Sequence, residues 1–357
     1  MQLLKFVKKV VPPFVTGTVA TPVGPVPVVS SVWSRADQWG MIKSRSSAFR
    51  MAYTVEPGLY AVGAPDKDSE VLVTANYKLT FDIVRRAVAG LSVWVLVLDT
   101  KSINVWCAAG KGTFGTEELI NRMSVVQLEK VVQHRRIILP QLGAVGVASG
   151  EVQKRTGFRV HFGPCEARDI PAYLKAGRKK TKAMSIMPFR MIDRLVLTPM
   201  EINPAMKKYY PWFAAAVLVI FGLQPTGILF ADAWSGGWPF LLLGLITVLA
   251  GAFLTPVLLP YVPFRSFALK GWVMGMAATM ASLALVGPGS GLLTAVSLLL
   301  FPALSSYIAL QFTGSTTFTG MSGVKKELKI GIPLYATAAG VSLVLLVLFK
   351  LKEWEVL

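Results

Sequence analysis

The chain has 357 residues, 37 of them lysine or arginine against 19 acidic, a formal charge of +18, with two cysteines and two histidines. Such a length can form two packed domains. Two cysteines and no C-x-x-C pair exclude an iron–sulfur cluster or a four-cysteine zinc site built from this chain alone.

Charge and hydropathy divide the chain. Before Tyr210 lie 30 of the basic and 15 of the acidic residues, whereas the remainder holds several long uncharged apolar runs. A basic water-facing part followed by a membrane part is expected. The opening MQLLKFVKKVVPPF does not read as a signal peptide, because Lys8, Lys9 and the Pro12-Pro13 pair break its apolar core. Residues 1–50 alternate short apolar runs with Pro, Gly and Ser and read as an extended arm of irregular packing.

Residues 51–209 carry a regular pattern. VLVTAN (71–76) predicts a strand, 81–89 a helix, and SVWVLVLD (92–99) a strand apolar on both faces, as buried parallel strands are. An amphipathic helix is expected over 117–132, a strand at 136–140, a helix at 148–156, a strand at 158–163 and a helix within CEARDIPAYLKAG. Strand and helix alternate, which predicts an α/β domain with a mainly parallel sheet. Such sheets bind ligands beyond the carboxyl ends of their strands, where Asn76, Asp99 and Gly163 fall. The segment MIDRLVLTPMEINPAMKKYY reads as a last strand and a basic connector.

Residues 210–357 contain five apolar runs, at about 211–230, 238–260, 268–287, 291–311 and 331–349, each near the roughly 20 residues that cross a hydrocarbon core. With five spans the basic domain, the Arg265/Lys270 loop and the Lys325/Lys326/Lys329 loop share one side, the cytoplasm by the positive-inside rule, while Lys350 and Lys352 fall outside. That side is reducing, so a Cys107–Cys165 disulfide is not expected. KAGRKKTK (175–182) lacks the interleaved aromatics of a nucleic-acid surface and reads as attraction to anionic lipid or to an acidic protein.

The stretch NVWCAAGKGTFGT (104–116) follows the strand ending at Asp99. It fails as a phosphate-binding P-loop, with Val105 where glycine is needed and Gly112 where Ser or Thr is needed. Gly110, Gly112 and Gly115 meet a dinucleotide spacing, but they do not directly follow a strand. A nucleophilic Cys107 would need His134 or His161 as its base. A soft-metal ligand is a further reading: one thiolate cannot hold an ion alone, so the metal would arrive within a cofactor, and Lys111 would favour the thiolate. A buried, inert cysteine in a tight turn stands beside these readings.

The stretch resembles the cap-helix signature N-[VI]-W-C-A-[AG]-G-K of the corrinoid protein of mercury methylation, matched at Asn104, Val105, Trp106, Cys107, Ala108, Ala109, Gly110 and Lys111. The preceding PGLYAVGAPDKDSEVLVTANYKLTFDIVRR is similar to that family too, and the shared plan extends the resemblance over most of the chain. The corrinoid iron–sulfur protein of the acetyl-CoA pathway has a related domain, from which this chain departs in lacking a four-cysteine motif and a barrel.

The resemblance implies a Rossmann-like corrinoid-binding domain with a cap helix, then an all-α membrane domain of five transmembrane helices in the cytoplasmic membrane. It implies a cobalamin-type corrinoid with its own base displaced and Cys107 as lower axial ligand of cobalt. Asn104 through Thr113, including Gly112, would surround it, with Thr74, Asn76 and the turn ending at Gly146 as further contacts to ring amides or nucleotide tail. The alanines and Trp106 would shape the lower face, and the Gly110–Thr113 backbone would present N–H groups at a helix start. The implied activity is methyl transfer from a cysteine-ligated methyl-cobamide to Hg(II), with a ferredoxin-like protein holding two [4Fe-4S] clusters as reductant and a methyltetrahydrofolate-dependent methyl donor. A membrane-tethered corrinoid carrier with another acceptor is the alternative. Cys165, in HFGPCEARD with no second thiol beside it, is expected to matter little.

Overall fold

The structure, a computed structural model, describes residues 12–46, 48–286, 289–316 and 318–357. Lys8 and Lys9, on which the signal-peptide reading turned, lie outside the described residues. The chain divides into two compact units, the second taking over at Phe189.

The first unit is built on a seven-stranded mixed sheet. Its strands are β1 (Val15–Thr21), β2 (Gly24–Val29), β3 (Gly58–Val62), β4 (Val71–Ala75), β5 (Val93–Leu98), β6 (Arg136–Leu139) and β7 (Arg159–Phe162). Their order is β1-β2-β3-β5-β4-β6-β7. β4, β5, β6 and β7 run parallel, as expected, and every residue of β4 and β5 is buried. Two buried faces leave no place for alternation, which is why these strands read as continuous apolar runs.

The segment expected as an irregular arm instead forms the β1–β2 hairpin and a helix, α1 (Arg35–Ser46). Its Pro and Gly residues concealed this: Pro25 and Pro27 sit in β2, beside the open end of the sheet, where few ladder bonds are lost. β3 joins antiparallel to β5, so the sheet is mixed at that edge.

Connecting the strands are α2 (Lys78–Ala87), α3 (Val105–Lys111), α4 (Thr116–Val125), α5 (Leu128–Val131), α6 (Ser149–Thr156) and α7 (Ile170–Lys175). The single helix expected over 117–132 is two, broken at Gln127, which takes a left-handed conformation (φ 47°). One apolar layer packs Val71, Val73 and Ala75 against Val105, Ala108 and Phe114; the other packs Leu72 and Ile138 against Phe81 of α2 and Tyr173 of α7.

In the second unit the expected last strand is helical, as α8 (Met191–Leu195) and α9 (Pro199–Pro204). α9 continues without interruption through a π-turn at Ala205–Tyr209 into α10 (Tyr210–Gly222). Then follow α11 (Phe230–Leu249), α12 (Thr255–Val257), α13 (Phe267–Val286), α14 (Gly291–Gln311) and α15 (Met321–Glu353). Among the described residues four helical stretches are long and apolar enough to cross a membrane: Phe230–Val257, Phe267–Val286, Gly291–Gly314 and Ser322–Glu353. The first apolar run expected as a span is the 13-residue α10, which ends at a two-stranded hairpin, Leu223–Gln224 with Gly227–Ile228.

Candidate functional site

Among the four parallel strands the order β5-β4-β6-β7 reverses direction between β4 and β6. Chain connections leave that point toward opposite sides, opening a crevice beyond the strand ends. A cavity of about 190 Å³ lies there. Its floor is Leu72, Thr74 and Ile138; Ile83, Val84 and Ile170 wall it; Asn104, Trp106, Pro140 and Cys165 complete it.

Thr74 carries the clearest signal. It is 1% exposed, it lines the cavity, and its hydroxyl has no hydrogen-bond partner among the described residues. A buried hydroxyl without a partner costs about 1–3 kcal/mol, a cost that a ligand atom would offset.

Asn76 has a different role from the ligand contact expected of it. Its Oδ1 accepts from Thr100 N (3.0 Å), Thr100 Oγ1 (2.8 Å) and Ser102 N (3.2 Å), while Nδ2 donates to Asp99 Oδ1 (3.2 Å). All its polar atoms are used in fixing the loop between β5 and α3. In that loop Lys101 and Ser102 both adopt left-handed backbone (φ 56° and 64°), strain that side-chain clamping sustains.

The loop delivers α3. Asn104, in extended conformation, caps the helix by accepting from Cys107 N at 3.0 Å. Gly112, left-handed at φ 79°, ends it. The N–H groups of Gly112 and Thr113 donate to Ala109 and Ala108 carbonyls, so the Gly110–Thr113 backbone closes a helix end and does not offer donors at a helix start. Ala108 and Ala109 are buried in the core and do not shape a cofactor face. Their small size lets α3 lie against the 143–146 turn: a Cβ on Gly146 would fall 2.2 Å from Phe114 O and 3.0 Å from Ala109 Cα. Val105 is buried with them, Trp106 and Cys107 are half-buried, and Gly110 and Lys111 are exposed. Thr113 points its hydroxyl at the carbonyls of Thr100 and Ala108.

Cys107 is in no disulfide among the described residues. Burial pushes it above its ordinary value, while Arg50, Lys111 and a hydrogen bond from Asn104 pull the other way. Lys111 therefore acts in the expected direction without prevailing, and Arg50, from the segment read as an arm, is a cation the sequence did not reveal. Neither histidine acts on this thiol: His134 Nε2 meets Ser69 O at 2.9 Å and His161 lies in β7. Among the described residues no three His, Cys, Asp or Glu side chains gather, so Cys107 offers a single thiolate, the donor set suited to a metal already held in a macrocycle.

Cys165, expected to matter little, follows β7 and lines the same cavity as Trp106. Its N–H donates to Met184 O at 2.8 Å; burial raises its thiol, Glu166 and Asp169 raise it further, and Lys180 opposes them. The Lys180 ammonium donates to Gln141 Oε1. Position after a strand end was the available signal for Cys165; Lys180 had none, because its neighbours are distant in sequence.

The fold and site thus define a mixed α/β domain with a cysteine-bearing helix beside the cavity at its switch point. Residues 48–174 match the protein family described as CO dehydrogenase/acetyl-CoA synthase delta subunit. The chain is 36% identical over 124 residues to the corrinoid/iron-sulfur protein large subunit of Moorella thermoacetica, covering 34% of this chain and 27% of that protein. It is 34% identical over 123 residues to the acetyl-CoA decarbonylase/synthase complex subunit gamma of Methanopyrus kandleri, covering 34% and 26%. The chain thus spans about a quarter of the length of these relatives. The first unit holds a corrinoid/iron–sulfur-protein-like domain, related to the corrinoid carrier of the acetyl-CoA pathway.

Proposed function

We propose that this chain is a membrane-tethered corrinoid methyl carrier and transferase. The observation that carries the reading is the placement of Cys107 on a capped helix beside a switch-point cavity that contains the unpartnered Thr74 hydroxyl. The donor set suits a base-displaced cobalamin-type corrinoid: Cys107 would hold it through its sulfur, and the cavity with Thr74 would receive one compact part of its nucleotide tail. When bound, that group supplies the cobalt–carbon chemistry; the protein supplies orientation and electronics.

Each part of the site then has a task. Asn104 caps the helix through the Cys107 amide, Asn76 holds the loop that delivers that helix, and Gly146 lets the helix lie against the 143–146 turn. Arg50 and Lys111 offset the burial of a thiolate. Trp106 lines the cavity and would help to exclude water from the bound group.

Hg(II) is the acceptor we propose, with methylmercury as product. Support comes from the eight-residue match at Asn104–Lys111 and from the absence of a four-cysteine motif in the chain. Held through the Cys107 sulfur, the bound group would be electron-rich, which suits donation of methyl to an electrophilic soft cation. Lacking its own cluster, the chain would take electrons from a ferredoxin-like protein with two [4Fe-4S] clusters and methyl from a methyltetrahydrofolate-dependent donor. The second unit would anchor the domain on the cytoplasmic face of the membrane.

The test is a transfer assay with the full-length protein, reductant and a methyl donor, offering Hg(II), other metal ions and thiols in parallel. Methylmercury formation supports the reading; transfer to a thiol alone leaves a carrier with another acceptor; no corrinoid retained on purification overturns it.

A further inference from the structure

The structure assigns Cys165 as a modification site through which a soft electrophile closes the switch-point cavity to a cofactor. This rests on the corrinoid reading above and adds regulation to it. Among the cavity's lining residues Cys165 is the one strong nucleophile; the rest are apolar or carry only amide, hydroxyl or indole groups. The cavity is independently marked as a ligand space by the Thr74 hydroxyl, 1% exposed and without a partner among the described residues.

Size makes the thiol consequential. At about 190 Å³ the cavity falls below the roughly 300–1,000 Å³ of sites for drug-sized ligands, so it accommodates one compact group and not that group plus an adduct. The backbone around Cys165 cannot yield easily. Pro164 precedes it, its own N–H is held by Met184 O at 2.8 Å, and a Cβ on Gly163 would already fall 3.0 Å from Ile138 Cγ2. Because Cys165 lines the cavity, an adduct on its sulfur takes up space there. Burial raises the Cys165 thiol, and Lys180 offsets part of that rise without reversing it.

The step is a displacement. With iodoacetamide as probe, the Cys165 sulfur attacks carbon, an S–C bond forms as the C–I bond breaks, iodide leaves and the thiol proton passes to solvent. No oxidant or reductant is needed.

The test uses the full-length protein in detergent, treated with iodoacetamide with and without cobalamin, with peptide mass spectrometry reading Cys107 and Cys165 separately. Cobalamin at ten times its dissociation constant should slow alkylation at Cys165 by about tenfold. Cobalamin retention should survive Cys165→Ser and be lost in Cys165→Trp, which fills the cavity without chemistry. Retained cobalamin with an unchanged alkylation rate at Cys165 would overturn the proposal and leave the carrier reading standing. Should Cys165→Trp not fold, the protection measurement on the unaltered protein decides alone. Failure of the unaltered protein to retain cobalamin at all removes the carrier reading and this proposal together.

Discussion

Asn104 hydrogen-bonds Cys107 twice, its Oδ1 accepting from the Cys107 amide at 3.0 Å and its side chain meeting the thiol. One residue therefore starts the helix and aims the sulfur. Asn104→Ala removes both and should cost about 1 kcal/mol of local stability. Asn104→Asp keeps the cap but sets an anion beside the sulfur, so it should leave the helix intact while pushing the thiol further up. Alkylation of Cys107 against pH separates the two variants: the aspartate variant moves the inflection upward.

The Cys107 thiol itself lies above its ordinary value because burial outweighs Arg50 and Lys111. A raised acid favours its neutral form in the fold, so its contribution to stability is full below the ordinary thiol value and is lost as pH rises through and beyond it. Alkylation of Cys107 should be slower at neutral pH than that of a free thiol. Arg50→Gln and Lys111→Gln should each slow it further, and a rate equal to that of free cysteine would contradict the burial argument.

Cys107→Ala removes the proposed axial sulfur at a position alanine fills well within a helix. Methyl transfer should fall by more than the about 10–100-fold that loss of an outer-shell partner costs, with expression and helix content unchanged. Full activity in this variant would remove the axial role.

The parallel strands and the motif at their edge were legible because local sequence dictates them. β4 and β5 are buried throughout. The ends of the helix in that motif were not legible: Gly112 was read near a helix start, whereas it is the left-handed stop of a helix that Asn104 begins. What escaped was set by distant partners. The β1–β2 hairpin gains its place from pairing with β3, and Asn76 was read as a ligand contact because its four hydrogen bonds go to residues 99–102. Ala108 and Ala109 were legible as small, yet composition alone does not say whether a small residue faces a ligand or a neighbouring turn.

The buried ionic cluster of α2 is another long-range feature. Lys78 Nζ meets Asp37 Oδ1 at 2.7 Å and Asp82 Oδ2 at 2.7 Å, and Arg85 meets Asp37 and Asp82 at 2.8 Å each. It ties α1 to the helix that walls the cavity. Asp82→Ala leaves two buried cations short of an anion and should cost about 3–5 kcal/mol. Burial raises the Asp37 carboxyl, but hydrogen bonds from Lys78 and Ser34 more than offset it and hold it well below the usual carboxylate range. Its stabilisation is thus present above the unfolded carboxylate value near 3.9 and is lost as pH falls below it. Hydrogen exchange of the α2 amides in the full chain should accelerate in Asp82→Ala at pH 7 and in the unaltered protein under acid.

The number of spans follows from where the C-terminus lies. α9, the π-turn and α10 form one helical stretch from Pro199 to Gly222, and at 1.5 Å per residue its 13-residue apolar part rises only about 20 Å. Lys350, one of the two lysines that disagreed with the positive-inside rule, is buried, donates to Phe221 O at 3.4 Å and pairs with Glu353, while Lys352 is exposed. The Lys350 charge is thus spent within the bundle, beside the end of α10, and carries little weight in setting orientation. Trp354 Nε1 likewise donates to Gln224 Oε1 at 3.1 Å, placing the chain end on the side of the 223–228 hairpin. If α10 crosses, with Lys207 and Lys208 at its cytoplasmic end, the hairpin and the C-terminus both face outward. A reporter fused after Leu357 should then read as external, and impermeant thiol reagent should label a cysteine placed at Thr226 in intact cells. An internal C-terminus would leave four spans, with α10 returning on the cytoplasmic side.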